Sequence, residues 1–79
     1  GDISFSFVVT RDGNILLSSD ASNLTAVWVE TWDGSVYATS GNDLLVDTYV
    51  YGSDDVVLDA DRDIRLNGSV EVAQSALLK

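Results

Sequence analysis

A chain of 79 residues without cysteine or histidine is expected to form one small domain that lacks disulfides and the commonest zinc ligand. Its 13 acidic residues outnumber its four basic ones and give a formal net charge of −9, which disfavours binding to nucleic acid or anionic lipid. No apolar run reaches the roughly 20 residues of a membrane-spanning helix, so no membrane span is expected.

Apolar residues recur at every second position, and turn residues interrupt this pattern at short intervals. Side chains alternate between the two faces of a strand, so each apolar row predicts a core-facing stripe. Two such rows are Ile3, Phe5, Phe7 and Val9, and Val56, Leu58 and Ala60. The predicted elements, in chain order, are strands at 3–10, 15–19, 24–32, 35–40, 44–51, 55–60, 64–66 and 69–73, followed by a helical turn or frayed tail at 74–79.

Tight turns join these predicted strands, and Asp33-Gly34 is typical of a two-residue β-hairpin. Close-spaced turns favour pairing between neighbouring strands. We therefore predict a single all-β domain over residues 1–79, an antiparallel meander of about seven to eight strands closed as a small sandwich or barrel. The residues expected in its core are Phe5, Phe7, Trp28, Val46, Val56, Leu58, Ile64 and Leu66.

An eight-residue spacing favours an alternative architecture. The segments 33–40, 41–48, 53–60 and 61–68 all carry apolar residues at their fourth and sixth positions. This spacing resembles the repeats in the intertwined trimeric β-helices of phage tail spikes, and the resemblance implies such a helix over residues 33–72. The chain departs from that pattern in the insertion Tyr49 to Gly52 and in lacking histidines for an iron-bearing apex. Antiparallel pairs outnumber parallel ones in general, so the meander is the leading prediction.

Three aspartates are the only metal candidates in the sequence. Asp59, Asp61 and Asp63 match the start of an oxygen-ligand calcium loop. Such a loop requires Gly at position six and Glu at position twelve, where this chain has Ile64 and Val70. The aspartates also fit the outward side of a predicted strand. We therefore expect no metal site and no cofactor, with calcium as the one cation that these residues would suit.

Four of the seven aromatic residues form two pairs in the sequence. Trp28 and Trp32 share one side of a predicted strand, and large aromatic residues in so small a domain are expected in the core. Tyr49 and Tyr51 lie opposite the apolar row of their strand and are expected to point outward. Outward aromatic residues are candidates for an interface or for a saccharide-binding platform.

Catalysis is not expected. Without His or Cys a nucleophilic triad is excluded, and only a pair of carboxylates could act in hydrolysis. A substrate pocket of ~300 Å³ or more would take up most of so small a core. We therefore predict neither an enzyme nor a small-molecule substrate.

The strand edges favour assembly instead. Proline is absent and basic residues are few, so the usual devices that protect strand edges are missing. The first strand lies at a chain end and could add to the sheet of a neighbour. The predicted interface residues are Ile3, Phe5, Phe7, Tyr49 and Tyr51.

These observations predict a non-catalytic structural subunit whose partners are copies of itself or a larger scaffold such as a capsid. Small, acidic, cysteine-free all-β chains resemble virion accessory proteins, which implies a capsid-decoration or tail component. The alternatives are an extracellular carbohydrate- or calcium-binding module and a filament subunit joined by donor strands. The expected location is the virion or the extracellular space, with assembly in the cytoplasm as a further alternative. The chain starts at Gly1 and lacks methionine, so we expect a processed product, a tagged form or a piece of a longer protein.

Overall fold

The protein is a β-solenoid of about four turns, and each turn stacks on the previous one through parallel strands. The structure, a computed structural model, describes residues 2–79. All regular elements within that range are strands, which confirms the all-β prediction. They are β1 (Ile3–Phe5), β2 (Val8–Thr10), β3 (Ile15–Ser19), β4 (Leu24–Thr31), β5 (Val36–Ser40), β6 (Leu44–Gly52), β7 (Asp55–Ala60), β8 (Ile64–Leu66), β9 (Ser69–Val72) and β10 (Ser75–Leu78).

The chain alternates between two sheets as it coils. We call them sheet A, which contains β1, β2, β4, β6, β8 and β9, and sheet B, which stacks β3, β5, β7 and β10. The first turn is therefore β1–β3, the second β4–β5, the third β6–β7 and the fourth β8–β10. Paired residues are 20 or 21 positions apart: Leu44 pairs with Ile64, and Ile15 with Val36.

The predicted antiparallel meander, closed as a sandwich or barrel, is wrong. Each strand pairs with a strand of the next turn and in parallel, as β5 does with β7. Asp33-Gly34 joins β4 of sheet A to β5 of sheet B, so it is a corner of the coil and not a hairpin. Both kinds of turn use glycine and short polar residues where the backbone reverses, and the local sequence therefore looks the same.

Aliphatic side chains stacked turn upon turn fill the space between the sheets. Leu24 and Leu44 occupy equivalent inward positions in sheet A, and Val36 and Val56 do so in sheet B. Burying such side chains is the main favourable term for folding. The buried apolar residues are Ile15, Leu17, Leu24, Ala26, Val29, Val36, Ala38, Leu44, Val46, Val50, Val56 and Leu58.

The predicted core is right only in part. Val46, Val56 and Leu58 are buried, whereas Phe5 and Ile64 are half-buried against the core. The other three predicted core residues are not buried: Phe7 is 69% exposed, Leu66 is 44% exposed, and Trp28 is half-buried on the outer face of sheet A. The second tryptophan, Trp32, which the sequence also predicts in the core, is 56% exposed. Leu66 is exposed because its turn is the last and only one side of it is covered.

Phe7 is exposed because the inward-outward alternation breaks just before it. In the first turn Ser6 and Phe7 separate β1 from β2, so Val8 packs against the core in place of Phe7. The second turn has a register shift at the equivalent place, where Ala26 and Val29 are both buried although they are three positions apart. A period of two applied across this break assigns the wrong face to every residue beyond it.

Glycine allows the corners that lead from sheet A to sheet B to stack closely in the first and second turns. Gly34 has a φ of 150°, and a Cβ there would collide with the carbonyl oxygen of Gly13. Gly13 itself has a φ of 117°, which side-chain-bearing residues rarely adopt. The buried Thr31 hydroxyl donates to the same Gly13 carbonyl at 2.7 Å. The two turns can therefore approach closely only because Gly34 lacks a side chain, whereas Gly13 supplies an unusual backbone conformation.

The alternative β-helix prediction is partly right, since the strands coil in parallel as the eight-residue pattern indicated. The repeat, however, is the whole turn. Segments 33–40 and 53–60 coincide with successive strands of sheet B, and 41–48 and 61–68 with successive strands of sheet A. The insertion Tyr49 to Gly52 is the second half of β6. The coil also includes β1–β3, before residue 33, and consecutive turns come from the same chain.

Candidate functional site

Two ladders of polar side chains connect the turns at corners. The first, which we call the Asp ladder, consists of Asp2, Asn23, Asp43 and Asp63. Its side-chain oxygens each accept the backbone N–H of the equivalent residue in the next turn. Asp2 Oδ1 accepts from Asn23 at 3.4 Å, Asn23 Oδ1 from Asp43 at 3.1 Å, and Asp43 Oδ1 from Asp63 at 3.2 Å.

The second ladder, which we call the Ser ladder, lies where the strands of sheet B begin: Asn14 and Ser35 precede β3 and β5, and Asp55 and Ser75 are the first residues of β7 and β10. Asn14 Oδ1 accepts the N–H of Ser35 at 2.9 Å, and Ser35 Oγ accepts the N–H of Asp55 at 3.2 Å. In the last step the Ser75 hydroxyl donates to Asp55 Oδ1 at 2.9 Å. Each ladder therefore joins all four turns where the chain leaves one sheet for the other.

Sequence reasoning missed these ladders because Asn, Asp and Ser at turns were interpreted only as residues that suit tight turns. Such residues do have that role. The signal that could have revealed a second role is the spacing, since members of each ladder recur 20 or 21 positions apart. That spacing is visible in the sequence once the repeat is known.

The two ends of the coil are open. At the first turn, β1, β2 and β3 pair only with strands of the second turn, and at the last turn β8, β9 and β10 pair only with the third. Ile3 and Phe5, two of the predicted interface residues, are half-buried at the first end. Leu66 and Leu78, both near half exposure, lie at the other. Each end therefore combines apolar side chains with free strand edges.

The other three predicted interface residues lie together on the outer face of sheet A. Phe7, Trp28 and Tyr49 are in contact across three turns: the Phe7 ring stacks on Trp28 with 6.1 Å between centroids, and the Trp28 ring is tilted by 45° against Tyr49 with 4.8 Å between centroids. Tyr51 lies beside Tyr49 on β6, with 6.4 Å between ring centroids. The Nε1 of Trp28 is buried and has no hydrogen-bond partner among the described residues. We call these four residues the aromatic face.

Acidic side chains flank the aromatic face. Glu30 pairs in register with Tyr51, and the Tyr49 hydroxyl donates to Glu71 Oε2 at 3.1 Å. Partial burial raises the pKa of Tyr49 above its usual value of 10.0, and the hydrogen bond to Glu71 and the nearby negative charges raise it further. The phenol is therefore held in its neutral, hydrogen-donating form.

The three metal candidates do not share one strand. Asp59 ends the outward side of β7, whereas Asp61 and Asp63 belong to the corner that leads to sheet A. The backbone N–H of Asp63 is bonded to Asp43, and Arg62 lies 3.7 Å from the same Asp43 carboxylate. Over residues 2–79, no group of three or more acidic side chains has a geometry suited to holding a metal ion.

An open depression of about 380 Å³ lies beside the Asp ladder. Asp2, Asn23 and Asp43 line one part of it, and Arg65 and Asn67 of the last turn line another.

The part of the chain that the structure describes has no helix long and apolar enough to cross a membrane. No family model, curated protein or solved structure matches this chain.

Proposed function

We propose that this chain is a non-catalytic structural subunit that assembles with copies of itself or on a larger scaffold. The observation that supports this most strongly is the construction of the whole fold as one stack of turns with two open ends. Solenoids bury their cores only by stacking, so a terminal turn left uncovered favours association. A domain of this size without disulfides gains stability from such contacts.

The setting we propose is a virion, as a capsid-decoration or tail component. The proposal is supported in part by the resemblance of residues 33–72 to tail-spike repeats, because that resemblance implies parallel coiled strands, although here consecutive turns come from one chain and not from three intertwined ones. The chain also exposes many carboxylates, which favours solubility of a densely packed assembly through like-charge repulsion.

Sedimentation velocity over a range of protein concentrations tests assembly. We expect oligomers whose size or population grows with concentration, together with a melting temperature that rises in parallel. A monomer that persists at all concentrations and melts cooperatively at high temperature would contradict the proposal.

The aromatic face favours a second candidate function, the binding of saccharides. Aromatic side chains present apolar surfaces to sugar rings, and Glu30 and Glu71 flank them with hydrogen-bond acceptors. Titration calorimetry with neutral oligosaccharides would test this function, because its signal depends on neither tryptophan.

The two tryptophans provide a matched pair of variants for that titration. Trp28→Ala interrupts the stack between Phe7 and Tyr49 and should abolish binding. Trp32→Ala removes a tryptophan that is 56% exposed, has the Arg11 guanidinium over its ring and lies outside the aromatic face, so binding should persist. Equal losses in both variants, or no binding by the unaltered chain, would exclude the aromatic face as a saccharide site.

A further inference from the structure

We propose that a second copy of this chain stacks head-to-tail on the open end, so that the first turn of one copy continues the last turn of another. This inference rests on the proposed self-assembly and specifies the surfaces that carry it. The occupant follows from the match between the two ends in strand position, polar ladder and apolar interior.

Strand positions match because the last turn repeats the layout of the first. Both turns divide sheet A into two short strands, β1 and β2 in one and β8 and β9 in the other, and both continue into sheet B. Within the chain, β6 pairs with both β8 and β9 while β4 pairs with both β1 and β2. A stacked copy would therefore place Ile3 over Ile64 and Val8 over Val70, by the same register.

Each polar ladder repeats a hydrogen bond from the backbone N–H of one turn to a side-chain oxygen of the previous turn. At the open ends of the coil this bond lacks a partner. Within residues 2–79, the carboxylate of Asp63, the last member of the Asp ladder, accepts no N–H from a further turn. In the Ser ladder of the same residues, the Ser75 hydroxyl oxygen accepts no N–H, and the Asn14 N–H donates to no acceptor. Stacking in register brings Asp63 under the N–H of Asp2 and Ser75 under the N–H of Asn14. Each ladder would then continue from one copy to the next.

The apolar interiors of the two ends also correspond. Phe5 and Val8 are half-buried at one end, and Leu66 and Leu78 are near half exposure at the other. Four stacked turns span about 19 Å at the usual strand spacing, which leaves extents of 30 and 21 Å for the cross-section. Such an end covers on the order of 600 Å² per copy, near the lower limit for specific interfaces.

Charge predicts how this contact responds to salt. The stack would place Asp63 against Asp2, just as Asp43 already lies against Asp63 within the chain. Repulsion between these carboxylates is screened by salt. Assembly through the ends should therefore strengthen as the salt concentration rises.

Disulfide formation between two single-cysteine variants tests the orientation. Ser4 and Arg65 occupy the same outward column of sheet A, at the first and last turn, through Thr25 and Leu45. In a head-to-tail stack their Cα atoms would be about 4.8 Å apart, within the range for a disulfide. The chain has no other cysteine. Oxidising a mixture of Ser4→Cys and Arg65→Cys should give a covalent dimer at least tenfold faster than oxidising either variant alone.

A pair of lysine variants tests which surface is used. Leu66→Lys adds a charge at the open end and should shift sedimentation to the monomer. Tyr37→Lys adds the same charge at a side chain that is 36% exposed on the outer side of sheet B, on β5 of the second turn and away from both ends, and assembly should persist. Circular dichroism tests whether both variants fold. If Leu66→Lys does not fold, the cysteine experiment still decides the orientation.

The outcomes separate this inference from the proposed function. Oligomers that form no Ser4–Arg65 disulfide, and that Leu66→Lys leaves intact, would overturn head-to-tail stacking while leaving a structural role in place. Rapid disulfides in Ser4→Cys alone would also overturn it, by indicating a head-to-head contact. A chain that is monomeric at every protein and salt concentration would overturn head-to-tail stacking, and it would contradict the proposed function as well if that monomer melted cooperatively at high temperature.

Discussion

At the scale of single residues, the face on which an apolar side chain lies decides its importance. Leu58 and Phe7 belong to apolar rows that look alike in the sequence, yet Leu58 is 0% exposed and Phe7 is 69% exposed. The sequence predicts Leu58 correctly because its strand is regular. It fails for Phe7 because nothing in the local pattern marks the break between β1 and β2.

Truncation of these two residues should therefore have different effects on the free energy of unfolding. Leu58→Ala removes a fully buried side chain and should cost about 2–5 kcal/mol. Phe7→Ala loses only stacking on Trp28 and should cost less than about 1 kcal/mol. Chemical denaturation of both variants measures the difference. Comparable losses would contradict the assignment of Phe7 to the outer face.

Tyr49 makes stability depend on pH above neutrality. Its raised pKa means that the folded chain holds the phenolic proton more tightly than the unfolded chain, whose tyrosine pKa is about 10. The corresponding stability is fully present below pH ~10 and is lost as pH rises through the folded-state pKa. Melts at increasing alkaline pH should show this loss, and Tyr49→Phe should weaken it.

Two further variants identify the cause of that dependence. Glu71→Gln removes a negative charge and should lower the pKa of Tyr49, as measured by ultraviolet absorbance of the phenolate. Tyr37→Phe removes a tyrosine on sheet B, away from Glu71, and should leave the ionisation of Tyr49 unchanged. An unaltered Tyr49 titration in Glu71→Gln would show that the Glu71 carboxylate does not hold the proton.

At the scale of elements, strand positions could be predicted well but strand partners could not. Strands β3, β7 and β8 begin and end where the alternation and the turn residues predict. The sequence predicts a helical turn or frayed tail at 74–79, whereas the chain forms β10 there, because Ala76 and Leu78 pair with Val56 and Leu58. Partner choice depends on contacts 20 or 21 positions away, and local patterns carry no information about them.

The Asp ladder gives the corners a measurable share of stability. Asn23→Ala removes the acceptor for both Asn42 Nδ2, at 2.8 Å, and the Asp43 N–H, at 3.1 Å. Both bonds are partly shielded from solvent, so the variant should lose about 1–3 kcal/mol. Asn67→Ala is the matched control at an exposed position and should stay within about 0.5 kcal/mol of the unaltered chain. Equal stability of the two variants would show that the ladder contributes nothing.

At the scale of the whole molecule, successive turns place residues at equivalent positions, but the residues at those positions differ in type. Leu24, Leu44 and Ile64 occupy equivalent places, but the aromatic face ends at the third turn and the corners differ in length. The eight-residue pattern captured half of each turn and treated the rest of β6 as an insertion. The sequence therefore predicts single residues of the candidate surfaces, such as Tyr49 and Tyr51. It does not predict the polar ladders or the open ends, because these depend on which turns stack on each other.

The same stacking concentrates negative charge, which leads to a prediction about cations. Asp43 and Asp63 lie one above the other in the Asp ladder, and Arg62 is 3.7 Å from the Asp43 carboxylate. Salt should therefore raise the melting temperature by screening the carboxylates of the whole chain.

Calcium should stabilise the chain no more than magnesium or a matched ionic strength does, because Asp59 lies on β7, Asp61 and Asp63 lie on the corner that follows, and the described residues place no three acidic side chains so as to hold a metal ion. Thermal melts at a protein concentration with a single sedimenting species would measure this, and Asp61→Asn is the control. A calcium-selective rise that disappears in Asp61→Asn would demonstrate a specific site, and it would place the binding-module function ahead of the structural one.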